Sequence, residues 1–165
     1  MKTKKDIRIG LDLDQVLCDF YGPYVKLFGE PKSDFEITKN VNRKLSKDKT
    51  FWLLLPIINK PNFEPALYCS KRVNPKEWSK QWLKQNGLPN KPFYQVWLQE
   101  QNKADFIKGR VDLFIDDSVS NWKQLNEAGI PCLLMDCEYN RNIDTPLRIY
   151  SLDIDEIMRV YEQFK

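Results

Sequence analysis

Short apolar runs alternate along this chain with helical segments that carry their own start and stop signals, and this alternation constrains the fold most. Runs at residues 7–13, 65–70, 93–98, 111–115, 131–135 and 147–150 have the length and composition of buried strands. Residues 19–29, 74–87, 103–108, 118–128 and 153–164 read as helices, and glycine closes four of them (Gly29, Gly87, Gly109, Gly129). In the second, Asn74 is the expected cap, Pro75 the first helical residue and Glu77 the partner in a capping box. Trp78, Trp82 and Leu83 follow at helical spacing and read as core contacts. Strands alternating with helices pack as a parallel sheet covered on both faces, so the expected fold class is α/β.

Residues 20–60 interrupt the alternation. The stretch 30–50 is polar, lysine-rich and without strong periodicity, and Phe51-Trp52-Leu53-Leu54-Leu55-Pro56 follows as an apolar block. The expected organisation is a core domain of residues 1–19 and 61–165, with residues 20–60 as a small helical cap inserted after the first strand. The longest nearly unbroken apolar run, 51–58, contains Pro56. It falls far short of the ~20 residues that a spanning helix needs. The N-terminal segment does not read as a signal peptide, so a cytoplasmic protein without membrane association is expected. Cys18, Cys69, Cys132 and Cys137 form no Cys-x-x-Cys pair, and all but Cys137 lie in apolar runs, as buried free thiols do.

The chain of 165 residues has no histidine. That excludes Ser-His-Asp and Cys-His hydrolases, His-ligated zinc and phosphohistidine chemistry. Acid–base work falls to Asp, Glu, Lys, Tyr or Cys. The net charge of +3 is mildly basic, with lysine concentrated at 31–60 and 71–91 and an acidic lean at 136–156. Such a distribution is a solvated surface or a basic rim that attracts an anionic substrate.

In open parallel sheets a ligand sits beyond the carboxyl ends of the strands. The polar residues there are Asp12 and Asp14, Ser70 and Arg72, and Asp116 and Asp117. Period-two alternation sends Asp12 and Asp14 to one side and Leu13 to the core. Clustered carboxylates repel unless a cation or proton intervenes, and without His or Cys partners they favour a hard, oxygen-ligated ion such as Mg²⁺. A hydroxyl and cations beside that ion suit a phosphoryl group. No P-loop and no Gly-x-Gly-x-x-Gly occurs, which disfavours P-loop NTPases and dinucleotide binders.

The order of these residues resembles the haloacid dehalogenase (HAD) superfamily of phosphohydrolases. Its first motif matches Ile9-Gly10-Leu11-Asp12-Leu13-Asp14-Gln15-Val16-Leu17 and its second Leu67-Tyr68-Cys69-Ser70-Lys71-Arg72. Lys103 stands for the third, with Lys108 as the alternative, and Leu113-Phe114-Ile115-Asp116-Asp117-Ser118 matches the fourth. Within the superfamily the chain looks most like the 5'(3')-deoxyribonucleotidases. The similarity rests on Val16-Leu17-Cys18-Asp19-Phe20, the block ending at Pro56, and Cys137-Glu138-Tyr139-Asn140-Arg141. Gln15 departs from the family, which usually has glycine there.

The resemblance implies a Rossmann-like core with a small cap, and a Mg²⁺-dependent phosphomonoesterase that works through an aspartyl-phosphate. It assigns Asp12 as nucleophile and Asp14 as general acid and then base. It assigns Mg²⁺ to the Asp12 carboxylate, the Asp14 backbone carbonyl and Asp117, with Asp116 as a neighbouring or alternate ligand. Ser70 and Lys103 would hold the phosphoryl group, while Arg72 and Lys71 would bind phosphate or line the rim. Phe20, and with it Trp52, would form a nucleoside pocket or pack cap against core. The expected substrate is a small phosphate ester, a nucleoside monophosphate in particular. The small cap leaves room for the phosphorylated end of a nucleic acid as an alternative. A protein of another class, which binds phosphate ligands without turnover, would keep the same positions.

Overall fold

The computed structural model describes residues 2–96 and 101–164. Six parallel strands form one sheet in the order β3-β2-β1-β4-β5-β6. They are β1 (Ile9–Leu11), β2 (Leu67–Lys71), β3 (Phe93–Val96), β4 (Leu113–Asp116), β5 (Cys132–Met135) and β6 (Arg148–Ile149). Residues 97 and 98 of the expected third run lie outside the described residues. The strands are predominantly apolar because both faces of the sheet are covered, and polar residues such as Ser70, Lys71 and Asp116 fall at their carboxyl ends.

Between β1 and β2 come α1 (Tyr21–Phe28), α2 (Asp34–Asn40), a π-helical turn (Val41–Leu45) and α3 (Lys49–Leu53). The other helices are α4 (Lys76–Gln85), α5 (Lys103–Ile107), α6 (Val119–Glu127) and α7 (Ile154–Tyr161). Alternation along each strand divides the core in two. Leu67, Cys69, Phe114 and Cys132 pack on one face with Ala104 and Ile107 of α5 and Leu125 of α6. Leu11, Tyr68, Leu113, Ile115 and Leu133 pack on the other, with Trp82 of α4 and Ile157 of α7. Tyr24, Val41, Leu45 and Trp52 of the insertion join this second cluster, so they share one core with the sheet.

Local signals start most of the helices. Ser33, Asp48, Asn102, Ser118 and Asp153 each accept a backbone N–H from the first turn that follows. The start of α4 differs. Pro75 occupies the cap position without a side-chain hydrogen bond, and Asn74 is buried, its amide donating to Pro75 O and Ser79 Oγ. The prolyl ring fixes φ at that position, and burial directs the asparagine inward. All four cysteines are free and buried. Among the described residues, no helix is long and apolar enough to cross a membrane.

The order of the strands determines where a ligand can bind. The chain runs outward from β1 through β2 to β3, then crosses to β4 on the other side of β1. Diverging connections on either side of the β1–β4 pair leave a crevice at their carboxyl ends. Asp12 directly follows β1, and Asp116 ends β4.

Candidate active site at the β1–β4 crevice

Lys103 organises the floor of this crevice. It opens α5, whose Ala104 and Ile107 are anchored against the sheet, and it is itself buried. Its Nζ lies 2.6 Å from Asp116 Oδ2 and 3.1 Å from Asp12 Oδ1, bridging the ends of β4 and β1. Asp12 Oδ1 also accepts the Leu13 N–H at 2.8 Å, and Asp116 Oδ1 accepts the Ser118 N–H at 3.0 Å. Lys108, the alternative for this position, is exposed beyond the end of α5.

Asp12, Asp116 and Asp117 are all buried and place carboxylate oxygens within 4.8 Å of one another. One ammonium cannot balance three carboxylates. Burial pushes the Asp12 carboxyl up to about 6, with the charges of Asp116 and Asp14 adding to it and Lys103 opposing. Burial, followed by the charges of Asp12 and Asp116, pushes Asp117 well above the usual carboxylate range. Burial alone would lower Lys103, but Asp116 and Asp12 outweigh it and hold the ammonium charged. The remaining excess of negative charge, presented by oxygen donors only, fits a hard divalent cation. Both oxygens of Asp116 are taken, Oδ2 by Lys103 and Oδ1 by the Ser118 N–H, whereas Lys103 and the Leu13 N–H both meet Asp12 at Oδ1. Asp12 and Asp117 are therefore the carboxylates best placed to hold such an ion.

Asp14 has a different cation. β1 ends at Leu11, so strand alternation does not govern the residues after it. The backbone turns at Leu13, whose carbonyl accepts the N–H groups of Leu17 and Cys18. Asp14 then pairs with Arg72, Nη2 to Oδ1 at 2.6 Å and Nε to Oδ2 at 3.2 Å. Asp12 and Asp14 line one cavity but answer to Lys103 and Arg72 respectively.

That cavity has a volume of about 620 Å³. Ser70, Lys71, Lys103 and Asp117 line it with the two N-terminal aspartates. Ser70 Oγ is buried and has no hydrogen-bond partner among the described residues. Burial, then the nearby Lys103 charge, lowers the Lys71 ammonium below its ordinary range. Phe20 lines the cavity, half-buried. Three expected site residues do not line it: Arg72, Trp52 and Asp116, the last fully buried beneath Lys103. Trp52 is 2% exposed, donates Nε1 to Leu45 O at 2.7 Å and stacks beneath Phe20 at 5.8 Å. A core position leaves it no free face for a ligand.

Other residues complete the site. The Tyr139 hydroxyl donates to Asp117 Oδ2, and its ring packs on Tyr21 at 5.5 Å. Asn140 donates to Asp117 O and Met135 O, fixing the loop after β5 against the loop after β4. The Tyr-Asn pair is visible in the sequence, but its contact with Asp117 depends on β5 lying beside β4. Lys32 and Asp34, at the start of α2, also line the cavity. Their polar, weakly periodic surroundings carry no signal that would single them out. Comparison of the chain with protein-family models returns no match, and comparison with curated proteins returns no significant relative.

Proposed function

We propose that this chain hydrolyses phosphate monoesters, nucleoside monophosphates in particular, with Asp12 as nucleophile and Asp14 as acid and base. The observation that carries the reading is Ser70, a buried hydroxyl without a partner among the described residues, in the same cavity as Asp12, Asp14 and Lys103. A buried polar group left unpaired costs about 1–3 kcal/mol, which a phosphoryl oxygen at that position would offset. The aromatic rings of Phe20 and Tyr21 in the cavity wall favour a substrate with a flat apolar part.

In this reaction Asp12 attacks phosphorus in line, and the ester P–O bond breaks as the aspartyl-phosphate bond forms. Asp14 gives a proton to the departing oxygen. Water then attacks the aspartyl-phosphate, Asp14 takes its proton, and phosphate leaves with Asp12 restored. Lys103 holds Asp12 in place and offsets charge on the transferring group. A divalent cation, Mg²⁺ by donor chemistry, would be held by Asp12 and Asp117, and when bound it supplies shielding between the anionic nucleophile and the anionic ester.

The test is phosphate release across nucleoside 5'- and 3'-monophosphates, sugar phosphates and phosphorylated oligonucleotides, with Mg²⁺ or with EDTA. Release from mononucleotides that disappears with EDTA and in Asp12→Asn is the expected result. Undiminished release by Asp12→Asn would overturn the mechanism. Preference for oligonucleotide ends, with steep loss in salt, would replace the mononucleotide as substrate.

A further inference from the structure

Arg72 stands in a phosphate-binding motif by sequence, yet its guanidinium is 2% exposed and lines no part of the cavity. Each of its three nitrogens meets protein. Nη2 and Nε take both oxygens of Asp14, Nη1 donates to Ser79 Oγ at 3.0 Å, and Nη2 also contacts Cys18 Sγ at 3.4 Å. The guanidinium plane lies 4.8 Å from the Trp52 ring. Trp52 is itself tied by its indole N–H to Leu45 O in the π-helical turn. Gln95 of β3 donates to Arg72 O at 3.1 Å, fixing the backbone from the other side. Burial alone would lower Arg72, but the Asp14 charge outweighs it, so the guanidinium stays charged.

Resting on the functional reading above, we infer that Arg72 is a positioning residue that holds the Asp14 carboxyl in line with the departing oxygen, and not an anion-binding residue. A guanidinium fork fixes both the direction and the plane of a carboxylate, which a point charge does not. The two contacts are unequal. Oδ1 has the short Nη2 contact and Cys18 Sγ at 3.3 Å, whereas Oδ2 has only the longer Nε contact among the described residues. Trp52 couples this orientation to the insertion, so the helices between β1 and β2 help to set the acid's position as well as to wall the cavity.

The experiment compares wild type, Arg72→Met and Arg72→Lys. It measures kcat/KM on a nucleoside monophosphate and on 4-nitrophenyl phosphate, together with Ki for inorganic phosphate. kcat/KM reports the step in which the ester oxygen leaves, and 4-nitrophenolate leaves without a proton. In Arg72→Met, kcat/KM on the nucleotide should fall ~10²-fold and on 4-nitrophenyl phosphate less than ~10-fold. The Ki should stay within ~3-fold of wild type, since positioning does not touch ground-state binding. Arg72→Lys keeps the charge but cannot span both oxygens, and should show the same selectivity at smaller size. If Arg72→Met does not fold, Arg72→Lys carries the same readings. A Ki raised ~10-fold or more would make Arg72 a phosphate ligand. Equal losses on the two esters would leave it a merely structural residue, and full activity in Arg72→Lys would show that charge alone suffices. Each of these results overturns the inference while leaving the phosphatase reading intact. A wild-type protein that releases no phosphate overturns both.

Discussion

At the scale of single residues, Ser70 and Gln15 show opposite solutions to a local cost. Ser70 Oγ is buried and unpaired among the described residues. Removing an unsatisfied buried hydroxyl takes away its desolvation penalty along with it. Ser70→Ala should therefore leave the melting temperature of the free protein unchanged or slightly higher. It should weaken inhibition by inorganic phosphate by ~10-fold or more, the worth of a hydrogen bond to a charged group. Thermal unfolding and Ki measured on the same preparation check both halves, and a clear loss of stability would mean that the hydroxyl has a structural partner. Gln15 sits at φ 59°, in the left-handed region where glycine is cheapest. Its side chain compensates: Oε1 accepts the N–H groups of Phe20 (2.7 Å) and Tyr21 (2.9 Å) at the start of α1, and Nε2 donates to Asp19 at 3.2 Å. Glycine would make the turn without strain but leave those donors open. This is a physical reason for glutamine at this position.

At the scale of elements, the sheet is closed at its amino end by an ion-pair clamp. Asp112, just before β4, accepts the Arg8 N–H at 2.8 Å and both Nε and Nη2 of its guanidinium, while Lys2 lies at 3.1 Å. Arg8 precedes β1, so the clamp sets the β1–β4 register on which the crevice depends. Burial acts to raise the Asp112 carboxyl, but the Arg8 hydrogen bonds outweigh it and hold it down at about 2. A folded-state value below the unfolded one stabilises the fold at pH above about 4, where the unfolded carboxyl is also ionised. That contribution disappears as pH falls through about 2. Wild type should unfold at a higher temperature than Asp112→Asn at pH 7, with the gap closing in acid. A gap independent of pH would show that shape, not charge, is what the clamp supplies. Gly10, at the centre of β1, shows how tightly these strands are seated. A Cβ there would meet Phe114 Cδ2 at 2.7 Å.

At the scale of the whole molecule, buried carboxylates from β1 and β4 face one another across the line where the chain reverses direction. Lys103 offsets part of their charge and leaves the rest uncompensated. An ion bound only by the folded state stabilises it by mass action, about 1.4 kcal/mol at ten times Kd. For a chain of this length that is roughly 3–6 °C in melting temperature. Mg²⁺ should raise the melting temperature of wild type, and EDTA should reverse it. Asp117→Asn should respond only weakly to Mg²⁺, because one of the two carboxylates that would hold the ion is gone. Equal responses of the two proteins would place the ion elsewhere.

The sequence by itself determined the parallel α/β architecture, because short apolar runs and capped helical segments are local patterns that each element carries independently. It also marked which polar residues stand at the strand ends, since a run's last apolar residue is visible without its neighbours. The reach of those patterns stopped where the elements stopped. Alternation placed Asp12 and Asp14 together, but β1 ends at Leu11 and the turn at Leu13 separates their partners. Capping rules favoured Asn74, which burial turned inward instead. Only the tertiary structure decided which cation serves which carboxylate. Arg72 reaches Asp14 from 58 residues away, and Lys103 reaches Asp116 from the first turn of another helix. Those pairings depend on β2 and β4 flanking β1, and on Trp52 arriving from the insertion to stack on Arg72. Strand order and long-range stacking are properties of the packed chain, and no periodicity within a segment encodes them.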